Sequence, residues 1–226
     1  MNELLPGLNT DLLTSQPQDV ATTMQVLILL TVLSLAPSIL VLMTSFTRIV
    51  IVLSFVRTSL STQQMPPNQV IIGLSLFLTF FIMAPVFSDV NHDAIQPYLK
   101  GDITQKQALE KAEAPFKEFM AKETRAKDLN LFLNYGHYEK PKSVQDIPFT
   151  ALVPAYTISE LKTAFQMGFM IFIPFLIIDM VVASVMMAMG MMMVPPVMIS
   201  LPFKILLFVM VDGWYLIVES LLTSYS

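Results

Sequence analysis

Met186-Met187-Ala188-Met189-Gly190-Met191-Met192-Met193-Val194-Pro195-Pro196 closes one long apolar run and opens another. The glycine and the proline pair mark a turn between two helical segments, so the chain doubles back and forms a hairpin there. Methionine is unbranched and polarizable and makes no hydrogen-bond demand, so it re-packs against changing shapes. Met191, Met192 and Met193 are consecutive and point in different directions around a helix, so they cannot all face one packed groove. Two readings stand. The methionines fill an ordinary helical interior, or several copies of the turn project thioethers into a lumen as an apolar constriction.

Working outward, the run before this stretch begins at about Leu161, after Thr157-Ile158-Ser159-Glu160, which has the spacing of a capping box. Pro174 and Asp179 interrupt it. The run after it extends from Val197 to about Leu222 and carries Pro202, Lys204 and Asp212. Towards the N-terminus, residues 88–148 hold nine of the thirteen basic residues and read as a soluble insertion. Thr104 with Gln107 forms a second capping-box spacing and opens an amphipathic helix through Leu109, Ala112, Phe116, Phe119 and Met120, limited or kinked by Pro115. Glu113 with Lys117, Glu118 with Lys122 and Glu123 with Lys127 are spaced to decorate its solvent face. A second apolar cluster, Leu129 to Leu133, ends at Gly136.

Earlier still, Gln69–Phe87 is apolar, and the connection before it holds Arg57 and Met65-Pro66-Pro67-Asn68. Val20–Val56 is apolar almost throughout, broken by Pro37 and Arg48, and exceeds the roughly 20 residues that span a hydrocarbon core. It therefore kinks at Pro37, runs beyond the bilayer, or is buried in an assembly. Arg48 favours the last two, because a lipid-facing cation is expensive. Residues 1–19 form a polar N-terminal segment with Glu3, Asp11 and Asp19 but no Lys or Arg. A secretory signal needs a basic start, so the first apolar segment is expected to be retained.

The totals agree with a membrane protein: 226 residues, 54% hydrophobic and 13% charged. The expected architecture is all-α: residues 20–87 as a first hairpin, 88–148 as an extracytoplasmic helical insertion, and 149–226 as a second hairpin carrying the methionine loop. Arg57 puts its loop in the cytoplasm by the positive-inside bias, with both termini outside. There is no basic run for nucleic acid and no cysteine for thiolate chemistry. His92 and His137 lack further ligands, and no phosphate-binding glycine loop occurs, so no metal, cofactor or enzymatic activity is expected.

Buried unpaired ions cost several kcal/mol, so Asp179, Lys204, Asp212 and Arg48 must pair, reach water or neutralise. With a turn near Met192–Val194, Asp179 and Lys204 fall within roughly 3 Å of the same depth on antiparallel helices. Such a pair either fixes helix register or, with Asp212, relays ions, as in an ion-coupled transporter.

The stretch Met191 to Trp214, together with Ser45–Arg57, Met65–Gln69 and Ile158–Phe165, resembles the FliP family of flagellar type III export-gate proteins. That resemblance implies a pentameric subunit of the export channel in the flagellar basal body, at the bacterial inner membrane, assembled with the Q, R and B subunits and passing unfolded polypeptides. It also implies a pore seal at Met191, Met192 and Met193; the residues themselves add Met189 beside them, a turn shaped by Gly190, Pro195 and Pro196, and a kink at Pro174. Some relatives carry a cleaved signal peptide, and this chain departs from them there.

Overall fold

The computed structural model describes residues 17–62, 64–191 and 194–225. Most of these are helical, with no strand among the described residues. The chain divides into two units, residues 1–40 and 41–226.

Helix α1, Pro17–Met43, lies mostly in the first unit and continues past Pro37. Its described apolar side chains up to Ile39, among them Leu27, Ile28, Leu29 and Leu30 in succession, are all exposed, while Val41 and Met43 near its end are half-buried. A helix apolar on every side is a helix whose solvent is lipid or another protein. The long first apolar run breaks at Thr44–Ser45 and not at Pro37. There the Thr47 hydroxyl donates to the Val41 carbonyl at 3.0 Å, taking up one of the acceptors that a helix end leaves open.

In the second unit the centre is α2, Phe46–Ser59, only fourteen residues long. Ile49, Val52, Leu53 and Val56 are almost completely buried. Helix α3, Asn68–Val90, continues through a π-helical turn at Asn91–Ile95 into α4, Gln96–Lys100. Helix α7, Phe149–Ala188, packs along α2 and has forty residues, a length of about 60 Å against a hydrocarbon core of about 30 Å. If α7 crosses a bilayer, about half of it lies outside the hydrocarbon core. The half before Gly168 is the buried one, with Leu152, Ala155, Tyr156, Glu160 and Ala164 covered. At Gly168 a Cβ would sit 2.5 Å from the Phe55 ring, so α2 and α7 approach as closely as they do because no side chain intervenes.

The start of α7 at Phe149 corrects the expectation of a capping box at Thr157–Glu160. A helix that has already begun needs no N-cap, and the Thr157 hydroxyl instead donates back to the Val153 carbonyl at 2.8 Å. Thr104 does cap α5, Gln105–Glu123, with the reciprocal Gln107 bond in place. α5 passes through Pro115 without ending. Helix α6, Ala126–Tyr135, follows, and α5 and α6 both pack on the first half of α7 around Met120, Ile147, Leu152 and Tyr156. Ser159 of α7 donates to Asp128 of α6 at 2.7 Å, and Arg125 pairs with the same carboxylate at 2.5 Å.

Helix α8, Pro196–Met210, folds back on α7, and α9, Gly213–Thr223, leaves it at 61°. The expected unbroken fourth run thus bends at Asp212, whose left-handed backbone ends α8. By length and composition 68–100 and α7 can cross a membrane, and α8 with α9 make a third if the bent pair is one span.

Candidate functional site

The end of α7 is built from its own carbonyls. Gly190, at φ +76°, takes the left-handed position. The Met191 N–H then donates to the Met186 carbonyl and the Gly190 N–H to the Met187 carbonyl, both at 3.0 Å. This is a Schellman closure, and glycine is its usual pivot because a Cβ would be strained there. Pro195 is extended and Pro196 takes the first helical position of α8, where its missing N–H costs nothing. The turn therefore spans Met189 to Pro195. Met186 is buried, while Met187, Met189 and Met191 are exposed at 62%, 69% and 42%. Met192 and Met193 lie outside the described residues. Beneath the tip, between α7 and α8, runs a wholly apolar groove of about 650 Å³ lined in part by Val185, Met186, Met189, Met191 and Phe203.

Below the tip the hairpin is clasped to α2. Lys204, 1% exposed, directs its ammonium to Asp179 Oδ2 at 2.6 Å, Ser61 Oγ at 2.7 Å and the Ser59 carbonyl at 3.1 Å. All three of its protons are taken. Ser200, one turn before Lys204, donates to Asp179 Oδ1 at 2.5 Å. Ser59 is the last residue of α2, so the cation also meets the negative end of that helix. Pro174 lies within α7, more than one turn before Asp179, and the helix continues past it.

Arg48 holds the other end of α2. Its Nε donates to Glu160 Oε2 at 3.0 Å, and Nη2 bonds the other oxygen of the same carboxylate. Nη2 also reaches Glu123 at 2.8 Å, and Nη1 reaches Ser224 Oγ at 3.0 Å. The guanidinium sits 3.9 Å from the centre of the Tyr225 ring, whose hydroxyl donates to Glu160. The fork geometry and the aromatic face both suit Arg rather than Lys.

The structure thus brings Asp179 and Lys204 together and leaves Asp212 away from them, exposed at the α8–α9 bend without a side-chain cap bond. Sequence reasoning passed over Ser59, Ser61 and Ser200 at the clasp. Ser200 was legible, being four residues from Lys204 on one helix face. It also assigned Glu123 to Lys127 and Glu118 to Lys122. Glu123 turns inward to Arg48 instead, and Glu118 accepts from Gln145 at 3.2 Å. Glu113 does meet Lys117, at 3.9 Å. Among the described residues no His, Asp or Glu cluster is placed to hold a metal ion.

The profile of the FliP family matches residues 29–221. The "Flagellar biosynthetic protein FliP" of Bacillus subtilis is 70% identical over 211 residues, 93% of this chain and 96% of that protein. The chain belongs to the FliP family. Proteins of the same name from Pectobacterium carotovorum and Aquifex aeolicus are 51% and 50% identical, covering 98% and 90% of this chain and 86% of each relative. The family match runs through α2, the charged residues of both ion clusters and the methionine turn.

Proposed function

We propose that this chain is a subunit of the flagellar protein-export apparatus in the bacterial inner membrane, and that its methionine turn lines and seals the export pore. The observation that carries this is the tip itself: Met189 and Met191 exposed on a glycine-pivoted turn, with Met187 exposed at the end of the helix before it, held out on a hairpin whose base is fixed to α2 by a saturated ion cluster. A deformable apolar tip on a rigid mount excludes water and ions by dewetting and yields to a passing chain. Five copies about an axis, joined by the Q, R and B subunits, would turn the tips into a ring with Met192 and Met193 completing it. The bare apolar faces of α1, α3 and the second half of α7 need such neighbours or lipid. In this orientation the Arg57 loop and the methionine turn face the cytoplasm, the insertion faces outward, and unfolded flagellar proteins pass through.

Replacing Met191, Met192 and Met193 by alanine tests the seal. Cells carrying the assembled variant gate should leak ions when no substrate is in transit. A closed channel as tight as the native one would overturn the reading. The ion-coupled transporter requires a relay through Asp179, Lys204 and Asp212. The separation of Asp212 from the other two, and the full set of acceptors around Lys204, weigh against it.

A further inference from the structure

Among the described residues three that are not glycine have a left-handed backbone: Ser61 at φ +57°, His137 at +52° and Asp212 at +51°. Histidine and aspartate are among the few side chains that enter that region readily, and serine is not. Ser61 stands one residue past Leu60, the cap of α2, which is the position that Gly190 fills after Met189 at the end of α7. Glycine would take the same backbone without the penalty, worth roughly a factor of five to thirty in an equilibrium constant. What serine has and glycine lacks is the hydroxyl, and its oxygen accepts from the buried Lys204 ammonium at 2.7 Å. A hydrogen bond from a cation is about twice as strong as a neutral one, enough to offset the strain at Ser61.

The connection from α2 to α3 starts at this residue. Its base is closed by Arg57, which donates to Asn68, and the Thr62 hydroxyl donates to the Met65 carbonyl at 2.5 Å. A change of backbone at Ser61 is therefore taken up within the connection, where Gln64, Met65 and Pro67 are exposed. Lys204 stands on the other side of the bond. It lies on α8 and is bonded to Asp179 of α7 at 2.6 Å, and these two helices carry the methionine turn between them. We infer that Ser61 is a positioning residue that couples the α2–α3 connection to the methionine hairpin, its left-handed backbone being held by the Lys204 ammonium. Opening the clasp lets Ser61 relax and reshapes the connection. Conversely, a contact that draws Gln64, Met65 and Pro67 onto another path takes one acceptor from Lys204 and loosens the mount of the tip. The bearing on a pore rests on the seal reading of the turn; the coupling itself rests on Ser61 and Lys204.

Amide exchange of the full chain in detergent, corrected for intrinsic rates, tests this from both ends. The Leu60 and Ser61 amides, which donate to the Val56 and Thr58 carbonyls at 3.1 and 3.0 Å, report the connection, and the amides from Ser200 to Lys204 report the hairpin. Asp179→Asn with Lys204→Met removes the clasp without stranding either charge. It should speed exchange at Leu60 and Ser61 about tenfold, the loss of one charge-assisted hydrogen bond. Ser61→Ala should speed exchange from Ser200 to Lys204 by the same factor, because a coupling free energy is reciprocal, and adding it to the clasp variant should change nothing further at Leu60. Ser61→Asn should exchange like the native chain at both ends, since asparagine enters the left-handed region and its amide oxygen accepts from an ammonium. A response at one end only, or additive responses, would overturn the coupling. So would a Ser61→Gly chain that melts above the native one, because the path of the connection, and not Lys204, would then impose the left-handed backbone. No methionine variant enters these comparisons, so a failed seal and a failed coupling are told apart.

Discussion

Arg48 and Glu160, 112 residues apart in sequence, meet in the interior with the guanidinium Nε 3.0 Å from the carboxylate. Glu160 is wholly buried and Arg48 nearly so, and Glu123 and the Tyr225 ring complete the surround. One cation therefore ties α2, α5, α7 and the C-terminal residues. Arg48→Leu leaves a buried carboxylate without its partner, which costs roughly 3–5 kcal/mol. The thermal midpoint of the purified chain should fall clearly, and Arg48→Leu combined with Glu160→Leu should recover much of the loss, because an apolar pair of similar volume is tolerated where a lone charge is not. A single variant that melts like the native chain would remove the node from the stability account.

What the sequence disclosed and concealed follows the range of each interaction. The Thr104 capping box and the Glu113–Lys117 pair are three and four residues apart and form as read. Long apolar runs and the turn signals Gly190 and Pro195-Pro196 are equally local. The Thr157–Glu160 motif has the same local signature, yet α7 begins at Phe149 and the motif falls inside it. Its glutamate answers Arg48, and nothing near Glu160 in sequence reports that. Glu123 misled for the same reason: Lys127 is one turn away, but Arg48 is the stronger partner. The break at Thr44–Ser45 in place of Pro37 shows a proline tolerated where its helix is apolar and continuous. The bend at Asp212 had a local signal, the Asp-Gly pair, that hydrophobic length obscured.

At the clasp, Lys204 is 1% exposed and the Asp179 side chain 23%. The two are therefore unequal partners. Asp179→Asn strands an ammonium that has only Ser59 and Ser61 left, whereas Lys204→Met leaves a carboxylate that reaches solvent and keeps Ser200. Asp179→Asn should be the more destabilising, by roughly 3 kcal/mol or more, in thermal melts of the purified chain. The double variant also separates register from relay. If the pair only sets register, Asp179→Asn with Lys204→Met restores both stability and export; restored stability without export would mean the charges move ions.

Asp128 gives the docking of the insertion a pH dependence. Burial pushes its carboxyl up, but the Ser159 hydroxyl and the Arg125 guanidinium outweigh that, and the net effect holds it below its ordinary value. A carboxylate lowered in the folded state adds stability that is fully present above its unfolded pKa and is lost as pH falls through the folded one. The α6–α7 contact should hold at neutral pH and loosen only below about pH 4. Hydrogen exchange of the α6 amides across pH 6 to 3, corrected for intrinsic rates, checks this. Asp128→Asn should flatten the acid limb, and an unchanged limb would exclude Asp128 as its source.

The Phe55–Gly168 contact sets how closely α2 and α7 approach. A methyl at Gly168 would stand 2.5 Å from the ring, so Gly168→Ala should cost about 1–3 kcal/mol by overpacking. Phe55→Leu in the same chain should return part of it, because the obstructing atoms belong to a side chain and not to backbone. Additive losses in the two variants would show that the ring is not what the methyl meets.

Gly190 and Gly73 should respond to the same substitution with opposite sign. At neither would a Cβ meet another atom within 4 Å, so packing plays no part in the comparison. Gly73 lies within α3, and alanine there removes a helix-interior glycine, a gain of roughly 0.5–1 kcal/mol. Gly190 sits at φ +76°, and alanine forced into the left-handed region loses about 1–2 kcal/mol. Gly190→Asn should fall between, since asparagine tolerates that region. The loss at Gly190 is local, because only the Met186 and Met187 carbonyls depend on its backbone. It should therefore appear as faster amide exchange at Gly190 and Met191 and as ion leakage through the assembled gate, with little change in the midpoint for the whole chain. Slow exchange and a tight gate in Gly190→Ala would mean that the turn reaches its shape without a left-handed pivot, and the thioethers at its tip would then be mounted some other way.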